Sequence, residues 1–237
     1  MKIYDVAFLG MGASALATAK LKYKGTSISL IGIDKNYHSK RNNFFAFWLT
    51  DWMKDFDSLA QKKWFCWNFY LTNNHIKHET KDLPYCTIRY QDWKNYCLKG
   101  LENLSIKEFN VQSITNLKKY YEIKLENGEE IFAKKIYDSR TPKLENKNVK
   151  QHFFGYLIET EQMINSNSVT LMDFRVEQKM GLHFMYCLPI NENTMLVEST
   201  VFSSKIQEDD WYQKQILEYI ETKLNLSEYK IVDEEKG

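Results

Sequence analysis

Apolar positions cluster first at Ile3–Leu9, a short run that ends at Gly10 and predicts a buried strand. Small and apolar residues from Ala13 to Lys22 predict a helix, and Ser27–Ile33 predicts a second strand closed by Asp34. A strand–helix–strand unit in roughly 30 residues is the size of a parallel crossover. Between Arg41 and Leu71 the periodicity is lost; Trp48, Trp52, Trp64, Trp67 and six phenylalanines crowd this stretch, predicting packed irregular structure with a short helix. Tyr90–Leu104 reads as a helix. Val111–Leu117, Tyr120–Leu125 and Glu130–Tyr137 read as three strands, the last two joined through Asn127-Gly128, a strong hairpin signal. A charged linker, Lys143–Lys150, leads to a second β-rich stretch with strands at His152–Glu159, Val169–Val176, His183–Pro189 and Thr194–Val201. A final helix, Glu208–Leu224, places Tyr212, Ile216, Ile220 and Leu224 on one face and acids at its start, where the helix dipole favours them.

The bulk numbers narrow the classes. With 43% hydrophobic and 15% aromatic residues, the 237-residue chain can bury a core and is not a disordered type. The 32 basic and 31 acidic residues leave a net charge of +1, so no basic field points to nucleic acid. Cys66, Cys86, Cys97 and Cys187 show no CxxC spacing, and nothing at the N-terminus reads as a cleaved signal, which predicts a cytoplasmic chain with free thiols. The longest weakly polar stretch, Val6–Ala19, is too short to span a bilayer, so membrane contact would be peripheral. Only Arg41, Arg89, Arg140 and Arg175 break an otherwise all-lysine set of cations, and each marks a place where a planar fork could matter. His75 and His78 lack a third ligand nearby, so no metal is expected. Neither a G-x-S-x-G elbow nor a P-loop is present.

Gly10-Met11-Gly12-Ala13-Ser14-Ala15 is G-x-G-x-x-A, set between the first strand and the first helix, and Asp34 follows Gly10 by 24 residues. Each part has a mechanical role in holding a dinucleotide. Gly10 allows a tight turn, Gly12 a close backbone approach to pyrophosphate, and Ala15 close helix packing. The helix N-terminus at Ala13 favours phosphate, and Asp34 can hold ribose hydroxyls. The fingerprint does not separate NAD from FAD. A three-stranded meander ending in Asp138-Ser139-Arg140 favours FAD, because it resembles the middle of flavoproteins with an inserted substrate domain.

Six segments resemble the bacterial lycopene cyclases, flavin-dependent enzymes that close rings on linear carotenoids. They are Asp5–Ala15, Asn42–Trp48, Tyr85–Trp93, Tyr137–Arg140, Gln151–Glu161 with Leu171–Gln178, and Phe184–Ser203. Two positions depart from the family pattern: Phe45 stands where Trp is usual, and the acidic motif reads Val197-Glu198-Ser199-Thr200. The resemblance implies an α/β fold, a Rossmann-like FAD-binding domain with an inserted β-rich α+β substrate domain. The expected division is residues 1–147 for the FAD domain, with an aromatic insert at about 42–84, and 148–237 for the substrate domain. It also implies that a C-terminal return to the FAD domain lies beyond Gly237 and is absent from this chain, which activity would then lack.

The implied reaction is acid-catalysed and non-redox. A proton adds to a terminal alkene of lycopene, a tertiary cation attacks the neighbouring double bond, and a proton leaves to give a β-ionone ring. Reduced FAD would stabilise the cation, with NAD(P)H as the reductant, and the insoluble substrate implies peripheral attachment to a membrane. Glu198, inside an apolar strand where burial raises its pKa, is the expected acid. Asp173 is the second carboxylate, and Gln178 is expected to orient one of them. Arg89, Asp138 and Arg140 are expected on the flavin side, and Phe47 and Trp48 in the substrate pocket. The competing expectations are a redox flavoprotein of the same fold, such as a hydroxylase or isoprenoid reductase, and a non-catalytic remnant.

Overall fold

A computed structural model describes residues 2–39, 43–142 and 148–237; Arg41 and the linker residues 143–147 lie outside them. The chain runs β1 (Ile3–Leu9), α1 (Ala13–Tyr23), β2 (Leu30–Ile33), β3 (Phe44–Trp48), a 3-10 helix (Asp51–Leu59), β4 (Lys62–Trp64), β5 (Cys66–Leu71), β6 (Asn74–Glu79), β7 (Tyr85–Arg89), α2 (Tyr90–Leu98), β8 (Leu104–Lys107), β9 (Val111–Asn116), β10 (Tyr121–Leu125), β11 (Glu130–Asp138), β12 (Lys150–Thr160), β13 (Val169–Asp173), β14 (Leu182–Pro189), β15 (Thr194–Ser203), α3 (Asp209–Thr222) and β16 (Tyr229–Lys236). It divides into two units. The first holds Met1–Phe44 and Arg89–Lys143, the second Phe45–Ile88 and Leu144–Gly237.

The first unit is Rossmann-like. Its six-stranded sheet has the order β8-β2-β1-β11-β10-β9, with β1 parallel to β2 and β11, and β9, β10 and β11 antiparallel. Parallel central strands are covered on both faces, so they read as unbroken apolar runs, and Ala7, Leu9, Ile31, Ile33, Ile123 and Ala133 form one buried cluster. Two expected elements differ. Residues 27–29 are not strand: Ser29 donates from its N–H and Oγ to the Asp5 carboxylate instead. The α2 helix ends at Leu98, and Leu104–Lys107 extends the sheet as β8, parallel to β2. Leu98, Leu101 and Leu104 continue a helical spacing past the Lys99-Gly100 turn, which hid the change of element.

The second unit is built on a seven-stranded sheet of order β16-β12-β15-β14-β13-β5-β6. The aromatic stretch is more regular than its sequence suggests. β5 joins this sheet parallel to β13, β6 pairs back on β5, and β3, β7 and β4 form a three-stranded sheet. Trp64 and Phe56, each 1% exposed, are core here. Helix α3 covers one face of the large sheet: Tyr212, Ile216, Tyr219 and Ile220 pack on Phe154, Tyr156 and Ile158 of β12, Met185 and Cys187 of β14, and Met195, Val197 and Val201 of β15. Because strand side chains alternate, this contact assigns the intervening residues Gly155, Tyr186 and Glu198 to the other face.

Candidate functional site

Three strands bring two carboxyls together on the face away from α3. Gly155 of β12 pairs with Glu198 of β15 on one side and with Glu235 of β16 on the other. The missing side chain leaves room between them. A Cβ on residue 155 would stand 2.7 Å from the Glu198 Cγ and 3.5 Å from the Glu235 Cγ. Both acids are nearly enclosed, at 9% and 8% exposure, and their side chains are hydrogen-bonded. Burial, followed by the neighbouring Glu235 carboxyl, pushes Glu198 well above the usual carboxylate range. Both effects favour the protonated form, the form in which a carboxyl can donate a proton. Gly155→Ala is expected to displace Glu198 and lower stability by about 1–3 kcal/mol, read from the denaturation midpoint.

Tyrosines extend this polar group. Tyr186 of β14 lies opposite Glu198, and its hydroxyl is 2.7 Å from that of Tyr85 on β7. Burial raises both phenols, Tyr85 to about 12, so they stay neutral. The Trp48 ring packs 4.8 Å from Tyr85 and 6.0 Å from Trp67, and is itself 41% exposed. Phe47 stacks on Phe45 at 6.0 Å, on the alternate side of β3 from Trp48. Trp48 therefore adjoins the tyrosines through Tyr85, whereas Phe47 points the other way along its strand.

Asp173 is elsewhere. It pairs with Met185, whose side chain faces α3, and it accepts a hydrogen bond from the Tyr219 hydroxyl of that helix at 2.7 Å. Asp173 and Glu198 thus occupy opposite faces of one sheet. The Arg175 guanidinium meets both Asp173 oxygens, at 2.9 and 2.6 Å, and lies 4.2 Å over the Tyr70 ring. Burial would raise the Asp173 pKa, but Arg175 and Tyr219 more than offset it and hold the carboxyl below its ordinary value. It is a fixed anion that anchors α3 to β13. Gln178 reaches neither acid; its amide donates to the carbonyls of Phe174, Val176 and His183 and accepts the His183 N–H, clamping the β13–β14 loop.

In the first unit the glycine turn sits at the end of β1. Gly10 has φ of +83°, a conformation that favours glycine, and Ser139 at the end of β11 donates to its carbonyl at 3.0 Å. Gly12 precedes α1, and a Cβ there would meet nothing within 4 Å. The helix start at Ala13 carries neither a capping side chain nor an acid in its first turn, and Ala15 is buried. This open, uncapped N-terminus matches what an anionic phosphate requires. The Asp34 carboxylate accepts the N–H of Met11 at 2.8 Å and that of Asn36 at 2.8 Å, which fixes it beside the turn. Asp138 and Arg140 form a two-point ion pair at 2.8 and 2.7 Å, and Arg89 lies 3.6 Å over the Phe44 ring.

Sequence reasoning singles out Glu198 but not the Glu235 beside it. The alternation of β16 is hidden because Asp233, Glu234, Glu235 and Lys236 are all polar, although only Glu235 of these is buried. Tyr186 was concealed within an otherwise apolar strand. Among the described residues no helix is long and apolar enough to cross a membrane, and no cluster of side chains has the makings of a metal site.

The profile of the Lycopene cyclase protein family matches residues 5–237. A lycopene beta-cyclase from Pseudescherichia vulneris is 32% identical over 90 residues, a region that is 37% of this chain and 23% of that relative. Among solved structures, a geranylgeranyl bacteriochlorophyll reductase-like protein from Thermoplasma acidophilum superposes with a TM-score of 0.72 at 10% identity, covering all of this chain and 66% of that one. A halogenase PltM variant in complex with FAD gives 0.71 at 11% identity, covering all of this chain and 60% of that one. At these identities the likeness is one of fold: this chain has the Rossmann-like fold of FAD-dependent enzymes and spans less than two thirds of the length of those relatives.

Proposed function

Because the chain belongs to the lycopene cyclase family, we propose that it takes part in closing the linear ends of lycopene into β-ionone rings, a reaction without net oxidation. The observation that carries this reading is the enclosed Glu198 carboxyl, which meets Glu235 across the Gly155 gap in surroundings that favour its protonated form. Glu198 gives its proton to a terminal alkene carbon: the O–H bond breaks and a C–H bond forms. The tertiary cation closes the ring, and the C–H proton it then loses returns to the carboxylate. Trp48 and Tyr85 offer aromatic faces that suit a polyene and stabilise a cation, and enclosure keeps water from trapping it.

FAD fits the first unit. Gly12, with its open approach, and the α1 N-terminus at Ala13 would hold the pyrophosphate, and Asp34 a ribose hydroxyl. Ser139 keeps the turn at Gly10 in shape, and Asp138 and Arg140 would stand on the flavin side. When bound in its reduced form, with NAD(P)H as reductant, the flavin supplies negative charge that stabilises a carbocation. Gly12→Val fills the space that pyrophosphate needs, so flavin binding is expected to fall by at least about tenfold, about 1.4 kcal/mol, measured by fluorescence titration with FAD. Peripheral contact with a membrane suits the substrate.

The test is expression in a host that accumulates lycopene, with pigments separated by chromatography. Cyclic carotenoids support the reading; lycopene left unchanged in the presence of folded protein overturns it. The fold is shared with redox flavoproteins, so NAD(P)H consumption in step with product would favour a reductase or hydroxylase instead.

A further inference from the structure

Helix α2 reaches the glycine turn with two side chains that the dinucleotide fingerprint does not contain. Tyr90 and Trp93 stand three residues apart and are neighbours on the helix surface. The Tyr90 hydroxyl donates to the Met11 carbonyl at 3.2 Å, and the Trp93 indole N–H donates to the Ala13 carbonyl at 3.1 Å. The preceding peptide is held from elsewhere: Ser139 donates to the Gly10 carbonyl, and Asp34 accepts the Met11 N–H. A trans peptide is planar, with its C=O and N–H on opposite sides. The donor on the Met11 carbonyl therefore sets the direction of the Gly12 N–H, and the donor on the Ala13 carbonyl sets that of the Ser14 N–H. Both N–H groups belong to the start of α1, where Leu16 donates to the Gly12 carbonyl, so neither has a partner within the helix. We propose that Tyr90 and Trp93 are positioning residues for the cofactor: by fixing the Met11 and Ala13 carbonyls they aim the N–H groups of Gly12 and Ser14 at the pyrophosphate.

This rests on the reading of the first unit as an FAD site and adds to it residues from a different element. Gly10 and Gly12 carry no Cβ to restrict the backbone, and N–H groups that swing must be ordered when a ligand arrives, at a cost in affinity. The two donors meet that cost beforehand. Trp93 is 4% exposed, so it makes its bond out of reach of water. The far end of α2 is held by different contacts: Lys20 of α1 donates to the carbonyls of Tyr96 and Lys99. The docking of α2 and the geometry of the turn are therefore open to separate disturbance.

The test is FAD titration of the whole chain by flavin fluorescence, together with phosphorus NMR of the bound cofactor. Tyr90→Phe removes only the hydroxyl. It is expected to weaken FAD binding about three- to tenfold, the range of one lost hydrogen bond, and to shift the pyrophosphate resonances. Adding Trp93→Phe should weaken binding further; where that double variant does not fold, Tyr90→Phe decides alone. Lys20→Met is the control. It loosens α2 away from the turn, so it should lower the denaturation midpoint while FAD affinity and the phosphorus resonances stay at wild-type values. Wild-type affinity with unmoved resonances in Tyr90→Phe overturns the proposal. An equal loss of affinity in Lys20→Met also overturns it, because α2 would then support the turn by packing alone. A wild-type chain that binds no FAD fails the cofactor reading and takes the proposal with it, whereas a wild-type chain that binds FAD no better than Tyr90→Phe fails the proposal alone.

Discussion

Glu198→Gln should lower ring closure by at least about a hundredfold, the scale of a lost general acid, while leaving the fold intact. Glutamine keeps the volume of the side chain and can still hydrogen-bond to Glu235, but it has no acidic proton to give. The measurement is the cyclic fraction of pigment in lycopene-accumulating cells, beside the amount of folded protein. Stability supplies an independent sign. The Glu198 pKa is raised in the folded chain, whereas an unfolded glutamate titrates near about 4.3. Between those values the folded state binds more protons than the unfolded state, so this group's contribution is full below the unfolded pKa and is lost as pH rises through the folded one. The variant should therefore lose that alkaline decline, and its denaturation midpoint should fall less than the wild type's when the pH is raised. Turnover that survives the substitution at wild-type rate would remove Glu198 from the chemistry.

Asp173→Asn should lower stability by about 1–3 kcal/mol, because it takes the two-point partner from the part-exposed Arg175 guanidinium and weakens the bond from Tyr219. Asp173 is 0% exposed, so water cannot stand in for the lost carboxylate. The pH sign is opposite to that of Glu198. The folded pKa of Asp173 is depressed, so its contribution is full above the unfolded value and is lost as pH falls through the folded one. Wild type and variant should converge in stability at low pH, followed by chemical denaturation across a pH series. A constant difference at all pH values would mean that the loss comes from packing and not from the ion pair.

How far the sequence leads can be followed residue by residue. The Gly10–Ala15 turn and the trailing Asp34 were legible because a dinucleotide-type turn needs particular residues at fixed spacings, and the turn geometry depends on Gly10. The strands β9, β10 and β11 were legible from alternation and the Asn127-Gly128 hairpin. Strand β6 was not: its six residues, Asn74–Glu79, are exposed throughout and carry no apolar rhythm. β16 failed for a similar reason, and with it went Glu235. Asp173 is expected as a second carboxylate because its segment resembles the family, whereas the face a strand residue occupies is set by what packs on the sheet. Only the position of α3 settles that, and α3 contacts β12, β14 and β15 across long stretches of chain.

The place of β16 in the sheet has one more consequence. Among the described residues it is an edge strand, bonded to β12 on one side, and most of its side chains are exposed. Edge strands with little buried apolar surface open more readily than the core. Each such opening would carry Glu235 away from Gly155 and expose Glu198 to water. Amide hydrogen exchange along Tyr229–Lys236 would then report the fraction of time for which Glu235 stands beside Gly155.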